Sequence, residues 1–136
     1  MSERALTLDL PGADLPAAGD PIITDVIAGA LSSIDSALPG ASEHAGGALG
    51  IEAGADQVLL ILVDGLGYEL IQDHLGHTPT LRRMRDDIRS IHTVVPSTTA
   101  AAITAFGTGA RPGATNMVGF SVAYGGGVMN LLAMEG

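Results

Sequence analysis

The sequence contains no cysteine, no lysine and no tryptophan, and the first two absences each exclude something. Without cysteine there is neither a disulfide framework nor a thiolate zinc site. The basic residues number 6, all arginine, against 15 Asp plus Glu, for a formal charge of −9. That balance leaves no electrostatic footprint for nucleic acid or for an anionic membrane surface. It suits metal cations in general, without marking a site for one. Long apolar runs are missing too, since none approaches the roughly 18 residues that a membrane span requires. The first residues, MSERALTLDLPGADLP, mix charges with prolines and hold no apolar core. No signal peptide is read there, and the expected location is cytoplasmic. At 136 residues the chain makes at most one modest domain.

What is present gathers between Gln57 and Gly109. Residues 57–63 (QVLLILV) are a short run of branched apolar residues. This composition predicts a strand buried on both faces, as in the centre of a parallel sheet. It delivers Asp64 to its C-terminal end, where Gly65 and Gly67 bend the chain away. A second apolar run, 88–95, contains His92 and stops at Pro96. Ser97, Thr98 and Thr99 follow, then Ala100, Ala101, Ala102 and Ile103. Hydroxyls directly before an alanine-rich run predict a helix N-terminus, with the helix running from about Thr98 to Phe106. Two strands would then present a carboxylate and a hydroxyl cluster at one edge of a sheet, and open α/β sheets bind ligands along that edge.

The remaining segments divide as follows. Residues 1–19 read as an irregular lead-in, and 20–136 as one α/β unit. Asp20-Pro21 predicts a helix start, with apolar residues at helical spacing from Ile23 to Leu38 and Pro39-Gly40 as its stop. Residues 40–55 are rich in Gly and Ala and read as a connector holding a solvated His44. Leu66, Leu70, Ile71 and Leu75 make a short helical stripe closed by Gly76. Thr78-Pro79 opens another helical piece, in which Arg82, Arg83 and Arg85 face solvent beside Asp86 and Asp87. His74 and His77 are separated by Gly76 and are expected at the surface. Residues 121–124 and 128–132 flank Gly125-Gly126-Gly127 and predict a β-hairpin. Alternating strands and helices argue for a parallel sheet with right-handed crossovers.

An aspartate after a strand often serves only as a turn former, and hydroxyls before a helix often serve only as caps. Three features favour chemistry at Asp64 and Thr99. The cluster holds more hydroxyls than one cap needs. The helix it opens is built of small residues, which lets a bulky group approach. Its end offers free N–H groups and positive dipole charge to a phosphate. No His, Lys or Cys base lies near Thr99 in sequence, so metal coordination is the remaining route to activating its hydroxyl, with Asp64 as a hard oxygen ligand.

QVLLILVDGLGYELI, HTPTLRRM and HTVVPSTTAAAITAFGTGARPGATNMVGF, in that order, resemble the N-terminal part of alkaline-phosphatase-superfamily enzymes. The match is nearest to the type I phosphodiesterase/nucleotide pyrophosphatase branch. The resemblance implies an alkaline-phosphatase-like α/β fold and metal-dependent hydrolysis of a small-molecule phosphate ester at two divalent ions, most simply zinc. Asp64 would ligate one metal, and Thr99 would bind that metal and attack phosphorus, with Thr98 in support. Relatives that cleave nucleotides carry an Asn beyond the nucleophile where this chain reads MVGFS, and Asn116 comes earlier, so nucleotide specificity is not implied. The family draws its other ligands, Asp and His, from a long C-terminal portion, whereas after Thr99 this sequence has no His, no Asp and only Glu135 as an acid. The expectation is therefore a truncated N-terminal part of such an enzyme, poorly folded and inactive alone. Two rival readings remain. One is a non-catalytic α/β module that binds a phosphate-bearing ligand at the helix end, and the other is a structural fragment.

Overall fold

A computed structural model of the chain describes residues 16–131. The lead-in read over 1–19 thus lies mostly outside the described residues, as do Leu132 and Glu135. Among the described residues the fold is a small α/β arrangement of six helices and one hairpin. In order, the helices are α1 (Asp25–Ile34), α2 (Glu43–Leu49), α3 (Tyr68–His74), α4 (Pro79–Arg83), α5 (Thr99–Thr108) and α6 (Pro112–Thr115). The hairpin strands are β1 (Ser121–Tyr124) and β2 (Gly127–Asn130), and short 3₁₀ turns follow α3 and α4. Among the described residues, no helix is long and apolar enough to cross a membrane.

The helix expected from Asp20-Pro21 begins later, because Pro21, Ile22 and Ile23 are engaged elsewhere. His92 N–H donates to the Pro21 carbonyl at 2.9 Å, and Ile23 N–H donates to the His92 carbonyl at 2.8 Å, which makes a parallel bridge between Ile22 and His92. Asp20 is no helix cap. Its carboxylate accepts from Ala17 N–H at 2.7 Å and lies 3.6 Å from His92 Nε2. At the other end, the Ser33 carbonyl accepts from Gly54 N–H and Ala55 N–H at 2.7 and 2.8 Å. Those bonds stop α1 at Ile34, short of Leu38, and tie the next connection to it.

That connection contains a helix which the Gly/Ala composition hid. Ser42 caps α2 by accepting from Ala45 N–H at 3.2 Å, and Gly50 closes it at φ 68, a left-handed conformation suited to glycine. The small residues have a packing reason. A Cβ on Gly29 of α1 would lie 3.0 Å from Gly46 N and 3.1 Å from Gly46 Cα, so the helices touch backbone to backbone. Gly29→Ala is expected to push α1 and α2 apart and weaken protection of their amides, whereas Gly47→Ala, which meets nothing within 4 Å, should strengthen it by about 0.5–1 kcal/mol through helix propensity. Hydrogen exchange of the α1 and α2 amides reads both changes.

The core is small and made of small side chains. Val94, Ala101 and Ala105 are buried together, with Ile23 and Ala102 packed against them. The hairpin forms as expected, with Ser121 opposite Asn130 and Tyr124 opposite Gly127. Its two-residue turn, Gly125-Gly126, has φ of 58° and 84°, the positive values that a tight hairpin turn requires.

The parallel sheet expected from 57–63 and 88–95 is absent among the described residues, where the only sheet is the antiparallel hairpin. Residues 57–63 form no strand and make no backbone hydrogen bond to another described residue. Leu59 is 83% exposed and Ile61 76%. Residues 88–95 have the single bridge to Ile22. A strand is defined by its neighbours, and an apolar run specifies burial without specifying what supplies it.

Candidate active site

Asp64 stands in the turn between the apolar run 57–63 and α3, where Gly65 takes φ 72 and Gly67 leads into the helix. Only a residue without a Cβ adopts the Gly65 conformation freely, so the Gly after Asp64 is what turns the chain there. Thr99 is the first residue of α5. The two come from distant parts of the sequence and line the same cavity of about 520 Å³.

The three hydroxyls before α5 have separate places. Thr98 is the N-cap: its Oγ1 accepts from Ala101 N–H at 3.3 Å and donates to the Val118 carbonyl at 3.0 Å. It therefore fixes the first turn of α5 and also holds the segment leading to the hairpin. Thr98 itself is extended, with φ −74° and ψ 151°. Ser97 and Thr99 both line the cavity and Thr98 does not. Among the described residues neither the Ser97 nor the Thr99 hydroxyl has a hydrogen-bond partner.

The helix end adds donors. With Ala101 N–H taken by Thr98, the N–H groups of Thr99 and Ala100 have no acceptor among the described residues. Two unspent N–H groups at the positive end of a helix suit an anion with several oxygens. Asp64 is the one carboxylate lining the cavity, and Leu62, Ile71, Ile91 and Ile103 contribute apolar wall.

Three further lining residues were given no chemical role from sequence. His92 lines the cavity but turns its Nε2 to Asp20. Tyr68 lines it from the first turn of α3. Arg89 also lines it, yet its guanidinium lies over Gly50 at the C-terminal end of α2, where a Cβ would come within 2.8 Å of Cζ. A cation in that place complements the negative end of the helix. No signal in the sequence separates these residues from ordinary fold positions.

The other expectations fall into place around the cavity. Asn116 takes φ 59 as the C-cap of α6. Arg85 pairs with Asp86 at 3.3 Å on the surface. Thr78 precedes Pro79, the first residue of α4, but its hydroxyl donates back to the His74 carbonyl at 3.1 Å instead of capping α4. Among the described residues, no three His, Cys, Asp or Glu side chains gather where they could hold a metal ion.

Comparison with known proteins gives one match. The family model described as Type I phosphodiesterase / nucleotide pyrophosphatase matches residues 58–126. No curated protein and no solved structure matches the chain. The matched span opens in the apolar run before Asp64, passes through Thr99 and ends in the hairpin turn, and with about half its residues inside it the chain belongs to the type I phosphodiesterase/nucleotide pyrophosphatase family.

Proposed function

We propose that the Asp64–Thr99 cavity is the nucleophile half of a phosphoester hydrolase site, with Thr99 attacking phosphorus. One observation carries the reading. Of the two threonines at the start of α5, capping occupies Thr98 and leaves the Thr99 hydroxyl without a partner among the described residues, in the cavity that Asp64 also lines. In the attack, Thr99 Oγ1 would form the new bond to phosphorus as the bond to the ester oxygen breaks, its proton passing to the departing oxygen, and water would then hydrolyse the phosphothreonine and restore the hydroxyl. The N–H groups of Thr99 and Ala100 would hold the non-bridging oxygens, whose charge grows in the transition state. The substrate class is a small-molecule phosphate ester, and family membership supports the diester or pyrophosphate type.

Two zinc ions, which the sequence resemblance implies, require about four donors each. The cavity walls offer the Asp64 carboxylate and the Thr99 hydroxyl, and the described residues hold no larger donor group. This donor set does not make up a two-zinc site, so no step is assigned to a metal. Of the lining residues, Asp64 would bring a carboxylate oxygen and Thr99 a hydroxyl oxygen to a divalent cation.

The rival reading, a non-catalytic phosphate-binding module, draws on the same free N–H groups. A chelator separates the two. In a preparation that cleaves an aryl phosphodiester, turnover that EDTA stops and a divalent cation restores would favour the hydrolase, with Asp64 and Thr99 as donors to that cation. Phosphate binding that ignores EDTA, without turnover under any metal, would favour the module.

A further inference from the structure

Ser97 is the hydroxyl for which neither the fold nor the reading above has a use. It sits on the connection between Pro96 and the α5 cap, is exposed, and lines the cavity together with Thr99 and Asp64. An exposed serine in a loop ordinarily means nothing. Here Thr98 is engaged by bonds to Ala101 N–H and the Val118 carbonyl, and both of its neighbours line the cavity. Thr98 therefore acts as a clamp between the two. The Ser97 hydroxyl is a donor with no acceptor among the described residues, facing the space in front of the helix end.

We propose that Ser97 is a substrate-binding residue of this site, its Oγ–H donating to a non-bridging oxygen of the phosphoryl group that Thr99 attacks. The proposal rests on the phosphoester reading of the cavity and adds a side-chain donor to the two backbone donors of Thr99 and Ala100. No covalent role follows for Ser97, since its hydroxyl keeps its proton and donates it only in a hydrogen bond. A donor to a charged oxygen contributes more than one between neutral groups, so its loss should be measurable in binding alone.

The test is titration of the full chain with inorganic phosphate, followed by calorimetry or by phosphorus NMR, for wild type, Ser97→Ala and Ser97→Thr. Ser97→Ala should weaken phosphate binding by about tenfold or more, and Ser97→Thr, which keeps the hydroxyl, should recover most of it. The recovery excludes a merely structural cause, because threonine adds bulk that alanine lacks. Equal phosphate affinity in wild type and Ser97→Ala overturns the proposal and leaves the Thr99 reading standing, since that is judged by turnover. A wild-type chain that binds no phosphate also overturns the proposal, while the phosphoester reading is judged separately by the turnover of Thr99→Ala.

Discussion

In any preparation of this protein that turns over a phosphodiester, Thr99→Ala should lower kcat by at least about a thousandfold, and Thr99→Ser should retain part of the rate. Loss of an attacking group removes the covalent route entirely, and in well-studied nucleophilic enzymes the cost exceeds that figure. Serine keeps an attacking oxygen but lacks the methyl group that restricts its rotamers. The neighbouring position supplies the contrast. Thr98→Ala would remove the α5 cap, which costs about 1 kcal/mol of helix stability, and would free the Val118 carbonyl. Its effect should appear first in stability and only then, through a loosened helix end, in rate. Thr98→Ser keeps a capping oxygen and should behave nearly as wild type. If Thr99→Ala matched wild type, the hydroxyl in the cavity would have no chemical part.

The second large effect concerns the apolar run. Residues 58–63 are Val, Leu, Leu, Ile, Leu and Val, and every one is exposed. Their backbone makes no hydrogen bond with another described residue. An uncharged apolar segment with unpaired N–H and C=O groups is a template for pairing with another chain. The purified 136-residue chain is therefore expected to bind a hydrophobic dye, to associate as its concentration rises, and to melt without one cooperative transition. Charges placed on the most exposed positions, as in Leu59→Lys with Ile61→Lys, should reduce the association. A sharp two-state melt of a monomeric chain, with calorimetric and van't Hoff enthalpies equal, would show that the run is covered in solution.

Local signals were legible in the sequence where the physics that decides them is local. Pro79 at the first position of α4 and the Gly125-Gly126 turn each depend on a few adjacent residues, whereas α5 runs on to Thr108, past the end expected near Phe106. Asp64 and Thr99 were expected at one edge of a parallel sheet, and they line one cavity without that sheet among the described residues. The sheet was not legible, because an apolar run states that it needs neighbours without naming them. Helix α2 was missed for a related reason. Its Gly and Ala give no apolar stripe, and their value lies in letting α1 approach to backbone contact, which only the packed pair reveals. The start of α1 was misplaced because Asp20 and Pro21 match a cap locally, while His92, far along the chain, draws that segment into a bridge. The three hydroxyls at 97–99 look alike in sequence. The reach of Thr98 to Val118 is what tells them apart.

The most direct test of the central claim is to trap the covalent intermediate. An actively hydrolysing preparation would be incubated with an aryl phosphodiester that has a good leaving group, quenched in acid, and mapped by mass spectrometry. The account predicts a phosphoryl adduct on Thr99 that disappears in Thr99→Ala and persists in Ser97→Ala. An adduct on Ser97 or Thr98, or turnover that continues in Thr99→Ala, would contradict it.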